Sequence, residues 1–130
     1  MIKVNKLPFI VFCSAILLLV SCSQGSDPAG KAVERYLTAL VAKDATQLST
    51  ISCADWETSA LTEMDSLQAV TAKLDNLSCK TSSKEGNFTY VSCTGKILMT
   101  YNSENQELDL SLRTYKVIQQ GGESLMCGYK

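Results

Sequence analysis

The chain has no histidine among its 130 residues. That absence removes Ser-His and Cys-His nucleophile pairs and histidine metal sites together, because no other unperturbed side chain titrates near neutral pH. A dominant charge is also missing. Twelve Lys and Arg stand against 13 Asp and Glu, a net charge of −1, which leaves no basic footprint for nucleic acid. No apolar run is long enough to span a bilayer: the longest, Pro8 to Val20, covers roughly 13 residues where about 20 are needed. The length allows one ordinary domain and not two. What the chain does have is cysteine, six in all.

Lys3 and Lys6 precede the apolar run, so residues 1–21 read as an export signal. The run ends in Leu19-Val20-Ser21-Cys22, which resembles a bacterial lipobox, and no A-x-A-like cleavage site competes with it. The resemblance implies that Cys22 becomes the first mature residue and carries acyl chains on its thiol and amine. The rival reading is an uncleaved anchor with Cys22 as an incidental thiol. Each buried acyl methylene contributes about 0.8 kcal/mol of membrane affinity, so two or three chains anchor a protein stably. Loss of Lys3 and Lys6 with the signal moves the net charge to −3. Ser23 follows Cys22 where an inner-membrane lipoprotein of Gram-negative bacteria would have Asp, so the expected location is the extracytoplasmic side of the envelope, on the outer membrane in a Gram-negative cell. Residues 22–26 form a lipidated tether whose four residues after Cys22 reach at most roughly 14 Å, and residues 27–130 form a single α+β domain.

Cys53, Cys79, Cys93 and Cys127 remain in that domain. An even number in a small exported chain reads as two disulfides. A zinc site is the rival, but no C-x-x-C pair is present and all four cysteines would have to be ligands. No metal and no cofactor is expected.

Asp27-Pro28 opens a first helix, with Asp27 as N-cap and Pro28 at the first helical position. Val33, Tyr36, Leu37, Leu40 and Val41 form one apolar stripe, with Lys31, Glu34, Arg35 and Lys43 outside it. Asp44 caps a shorter helix that turns Leu48 and Ile51 inward, and Trp56, Leu61 and Met64 suggest a third. The period then becomes two. Val70, Ala72 and Leu74 alternate, and Leu77, Cys79 and Thr81 follow in the opposite phase, which predicts a bulge near Asp75-Asn76. Turns are expected at 84–87, 103–106 and 120–123, and Leu125, Cys127 and Tyr129 end the chain as a fourth strand. Setting Asn102 opposite Glu107 pairs Tyr101 with Leu108, Met99 with Leu110 and Ile97 with Leu112. A second bulge near Arg113-Thr114 would then bring Tyr115 opposite Cys93. The result is a bent four-stranded antiparallel meander with helices on one face.

In that strand order Cys79 lies opposite Cys93, within bridging range, whereas the first and second strands are too far from the fourth for Cys127 to reach either. The surviving connectivity is Cys79–Cys93 with Cys53–Cys127.

Helix, short helix, helical piece and four antiparallel strands is an order that resembles the nuclear transport factor 2-like superfamily, in which helices pack into a curved sheet to form a cone with a pocket. The chain is also similar to small bacterial lipoproteins. The matching stretches are 32–40 with Lys43-Asp44, Cys53-Ala54-Asp55-Trp56-Glu57, Leu77-Ser78-Cys79 with 93–97, and 113–117 through Gly121-Gly122-Glu123 to Cys127-Gly128-Tyr129. The superfamily includes isomerases and dehydratases that use an Asp or His inside the cone. Here there is no His, and Glu34, Glu85, Glu104, Glu107, Asp109 and Glu123 read as lying on outer faces or in turns. A catalytic role is therefore not carried over.

The candidate pocket residues are Trp56, Tyr101 and Tyr115, each with packing as the competing role. Arg113 and Lys116 could meet an anionic ligand, but Glu107 or Asp109 on the same sheet would satisfy them equally. The expected function is a lipid-anchored, non-catalytic module that binds a small apolar molecule or an envelope protein, with no nucleic-acid partner. The alternatives are an isomerase or dehydratase with Asp55, Asp65 or Asp75 as base, and a purely structural envelope protein.

Overall fold

A computed structural model describes residues 26–130. The expected signal peptide 1–21, the expected lipidation site Cys22 and most of the expected tether lie outside the described residues. Among those described, no helix is long and apolar enough to cross a membrane.

Helix α1 (Pro28–Val41) starts where expected. The Asp27 carboxylate accepts the Gly30 N–H at 2.9 Å, and Pro28 occupies the first turn. The same carboxylate accepts from the Thr81 N–H at 2.6 Å and the Thr81 hydroxyl at 2.7 Å, so one residue both caps the helix and fastens it to the sheet. Partial burial raises the Asp27 pKa, but the Gly30 and Thr81 donors outweigh it and hold the carboxyl below its ordinary value. Helix α2 (Ala45–Ile51) is capped by Asp44, which accepts from the Gln47 N–H, and buries Leu48 and Ile51. Helix α3 (Ala54–Ser66) follows from Cys53 and buries Ala60 and Met64.

Strands β1 (Thr71–Glu85) and β2 (Phe88–Tyr101) form a long hairpin. Its register shifts between Asp75 and Ser78, at the expected bulge, where Asn76 takes φ 53°. Gly95 lies against that bulge: a Cβ there would meet the Asn76 and Asp75 carbonyl oxygens at 2.6 Å. Cys79 pairs directly with Cys93, and the two are bonded across the strands.

The second hairpin differs from the sequence expectation. Asn102 and Ser103 both adopt positive φ, 48° and 67°, and make a tight two-residue turn. Strand β3 (Glu104–Asp109) therefore pairs Tyr101 with Glu104, Met99 with Gln106 and Ile97 with Leu108, four residues away from the expected register. An even slip keeps every side chain on its expected face, which is why the alternation did not reveal it. The expected bulge at Arg113-Thr114 is a full 3-10 turn at Leu110–Leu112, capped by Asp109. Leu110 is buried in it and Leu112 is 78% exposed, so Leu112 does not face Ile97. The turn splits the third strand in two, giving five strands rather than four. Strand β4 (Thr114–Gln120) returns beside the start of β2, where Tyr115 lies opposite Val91 and not Cys93.

Strand β5 (Glu123–Tyr129) completes the sheet in the order β1-β2-β4-β5, with β3 also on β2. The expected last strand, with Leu125, Cys127 and Tyr129, is present. Met126 pairs with Val117 and is fully buried, while Tyr129 pairs with Tyr115 across a register shift. Gly128, at φ 127°, sits in that shift against the Trp56 ring. Cys53 and Cys127 are bonded, and the Cys53 N–H donates to the Met126 carbonyl at 2.8 Å, so β5 holds the start of α3. Both disulfides have the expected pairing.

The core lies between the helices and the inner face of the sheet. Val33, Tyr36, Leu37 and Leu40 of α1 meet Val91, Ile97, Tyr115 and Val117. Helix α1 passes very close to β1. A Cβ on Gly30 would lie 2.6 Å from the Cys79 carbonyl oxygen, and Glu34 accepts the Cys79 N–H at 3.0 Å. Glu34 is thus a helix-to-sheet tie and not a purely solvated residue.

Candidate functional site

Helix α3 crosses the far half of the sheet without closing on it. Its residues Trp56, Ser59 and Glu63 recur at helical spacing on the side that faces β2. The gap is a cleft of about 560 Å³, within the range of small-molecule sites. Leu40, Leu67, Ile97, Met99 and Leu108 make its apolar wall, and Thr58, Ser59, Thr62 and Ser66 line the α3 side. Glu63 and Arg113 are the two charged residues among those lining it.

Glu63 is the hub of the polar end. Its Oε1 accepts from Arg113 Nη1 at 2.9 Å and from the Tyr129 hydroxyl at 3.3 Å. Its Oε2 accepts from the Tyr36 hydroxyl at 2.9 Å, and that hydroxyl in turn accepts from Trp56 Nε1 at 3.2 Å. The Arg113 guanidinium stacks 4.1 Å from the centre of the Tyr129 ring. Tyr129 makes edge contacts with Trp56 and Tyr115, at centroid distances of 5.4 and 5.9 Å. Five elements or their flanks supply this cluster: α1, α3, the 3-10 turn, β4 and β5.

Burial, first, and the Glu63 charge raise the Tyr36 and Tyr129 pKa values above that of an ordinary phenol. Burial pushes Tyr115 up to about 12, with the Arg113 guanidinium opposing the rise. Among the described residues the buried Tyr115 hydroxyl has no hydrogen-bond partner of good geometry. The Arg113 pKa is raised despite burial, because Tyr129 and Glu63 favour its charge.

Of the sequence-predicted pocket residues, Trp56 lines the cleft. Tyr115 is fully buried behind Tyr129. Tyr101 is 53% exposed at the end of β2 and does not join them. Asp55, Asp65 and Asp75 are exposed, and none lines the cleft. The carboxylate in the cleft is Glu63, which the sequence reading did not single out. Its signal was its position seven residues after Trp56, on the side of α3 that also carries Ala60. Arg113 was expected on a solvated face, yet its side chain is 22% exposed and paired with Glu63. Lys96 instead takes Glu107, at 2.7 Å, and Lys116 lies 4.4 Å over the Phe88 ring. Among the described residues no group of three or more Cys, Asp or Glu side chains is arranged to hold a metal.

A second groove of about 520 Å³ runs along the outside of α1 and α2, between Arg35, Thr38 and Gln47. It lacks a wall of large apolar side chains.

No family model and no curated protein matches the chain. Solved structures do. A Shewanella frigidimarina protein provisionally named a ketosteroid isomerase superposes with a TM-score of 0.55 at 14% identity, covering 80% of this chain and 94% of that one. A SEC-C motif containing protein from Rhodopseudomonas palustris gives 0.53 at 8% identity, covering 81% and 80%. The helical cell shape determining protein Pgp2 from Campylobacter jejuni gives 0.50 at 7% identity, with 76% of this chain matching 38% of that one. At these identities the likeness is one of fold, and the fold is α+β of the nuclear transport factor 2-like kind.

Proposed function

We propose that the chain is a lipid-anchored envelope module that holds a small, largely apolar molecule in the cleft between α3 and strands β2 and β3, without transforming it. Cys22 in its lipobox-like setting supports the anchor, and the two disulfides suit an oxidising compartment. The observation that carries the binding reading is that three protein donors engage Glu63 at the polar end of a cleft whose sheet side is apolar. Both carboxylate oxygens are occupied by protein donors. A general base takes a proton most readily when its lone pairs are free, and three of the roughly four acceptor positions of Glu63 are taken by Tyr36, Tyr129 and Arg113.

Ser26, the first described residue, lies beside Lys84, Thr89 and Gln119, and the cleft takes its β2 residues, Ile97 and Met99, from further along that strand.

A second reading is an isomerase-like enzyme. One arrangement favours it: a carboxylate beside tyrosine hydroxyls in an apolar-walled cleft. Native mass spectrometry of the full chain, released from membranes of the producing cell, separates the readings. The binding module is expected to carry an intact adduct of a few hundred daltons. A chain that stays empty after exposure to an extract of that cell contradicts it, and one that alters the extract's composition with turnover supports the enzyme.

A further inference from the structure

The cleft has two charges and they cancel. Glu63 and Arg113 are 16% and 22% exposed, are in contact at 2.9 Å, and are the two charged residues of the lining. We infer that the cleft selects uncharged amphiphiles, an apolar chain with one neutral oxygen acceptor such as an ester, and rejects the matching carboxylate and ammonium. This assignment depends on the cleft being the binding site proposed above.

The reasons are electrostatic and steric. An incoming carboxylate would compete with Glu63 for Arg113 and leave one anion of the two short of its partner in a partly dehydrated site. An incoming ammonium would have to share Glu63 with Tyr36, Tyr129 and Arg113, which take three of its roughly four acceptor positions, and would meet the Arg113 charge beside it. A neutral acceptor disturbs neither. Arg113 has five N–H donors and the side-chain bond it makes among the described residues is the one to Glu63, so the guanidinium retains donors for a ligand oxygen. Leu40, Leu67, Ile97, Met99 and Leu108 give the chain of such a ligand an apolar wall.

Trp56 lines the cleft and is the single tryptophan of the chain, so its emission reports occupancy directly. The full chain in phosphatidylcholine vesicles is titrated with methyl octanoate, octanoate and octylammonium, with free concentrations corrected by protein-free vesicles. Methyl octanoate is expected to bind at least about tenfold more tightly than either ion. Glu63→Gln leaves Arg113 unbalanced and is expected to reverse the order of ester and octanoate. Glu63→Gln with Arg113→Gln makes the cleft neutral again and restores it. Circular dichroism verifies the fold of each variant, and if neither folds the wild-type ratio decides alone. Octanoate binding the wild type as tightly as the ester overturns the selectivity while leaving the cleft as a site. Absence of any Trp56 response to all three probes overturns the cleft reading and the selectivity with it.

Discussion

Glu63 of α3 accepts a 2.9 Å hydrogen bond from Arg113, fifty residues later in the chain, and this pair joins the helical layer to the sheet at the inner end of the cleft. Neither residue has an obvious local partner in its own element. Their meeting is a product of the fold, and it sets the electrostatics of the cleft.

Arg113→Met should destabilise the domain by about 2–3 kcal/mol, because it leaves a poorly solvated carboxylate short of its strongest donor. Glu63→Leu should cost a similar amount, and the double substitution less than the sum. Urea denaturation of the four proteins gives the coupling, expected at about 1–2 kcal/mol. A coupling below about 0.5 kcal/mol would mean that the pair acts as two independent surface groups.

Gly30→Ala tests the close crossing of α1 over β1. The new methyl would meet the Cys79 carbonyl oxygen at 2.6 Å, a backbone atom that cannot rotate away. Overpacking of this kind costs about 1–3 kcal/mol, against the modest gain that alanine normally brings to a helix. A rise in melting temperature would show that the helix has room to move off the strand.

Alkaline pH should unfold the domain through its buried phenols. The folded pKa values of Tyr36, Tyr115 and Tyr129 are raised, that of Tyr115 to about 12, so the native state keeps protons that the unfolded chain loses above about pH 10. The stability they contribute is complete below pH 10 and is lost as pH climbs through the folded values. Tyr115→Phe should make the fall in melting temperature between pH 10 and 12 shallower, at little cost near pH 7, since the Tyr115 hydroxyl has no partner of good geometry among the described residues. An unchanged slope would remove Tyr115 from this account.

The disulfides should differ in worth. Cys53–Cys127 spans 74 residues and Cys79–Cys93 spans 14. Loop-entropy estimates give about 4.5 and about 3 kcal/mol. Paired alanine substitutions followed by urea denaturation should show the Cys53/Cys127 variant as the less stable. The opposite order would indicate that the hairpin bridge matters through local packing.

Much of this architecture was legible because it depends on periodicity. The stripe from Val33 to Leu40, the caps at Asp27 and Asp44, the bulge at Asn76 and the facing of Cys79 with Cys93 each follow from residues close in the chain or from one hairpin. The register of the second hairpin is not legible in the sequence, because Ser103 is an unusual residue at positive φ, a longer turn at 103–106 reads as equally good, and a four-residue slip preserves every face. The polar end of the cleft was hidden for a different reason. Tyr36, Arg113 and Tyr129 reach Glu63 across 27, 50 and 66 residues, and a lone glutamate on a helix otherwise reads as solvated.

The central claim is that a small apolar molecule sits between α3 and strands β2 and β3. Methyl NMR of the full chain in nanodiscs, with 13C-labelled methionine and methyl octanoate as ligand, tests it most directly. Met99 lines the cleft and Met126 lies in the sealed core. The account predicts a saturable shift of the Met99 methyl while the Met126 methyl stays in place. A Met99 methyl that does not move under saturating ligand, whether or not the ester binds elsewhere, would contradict it.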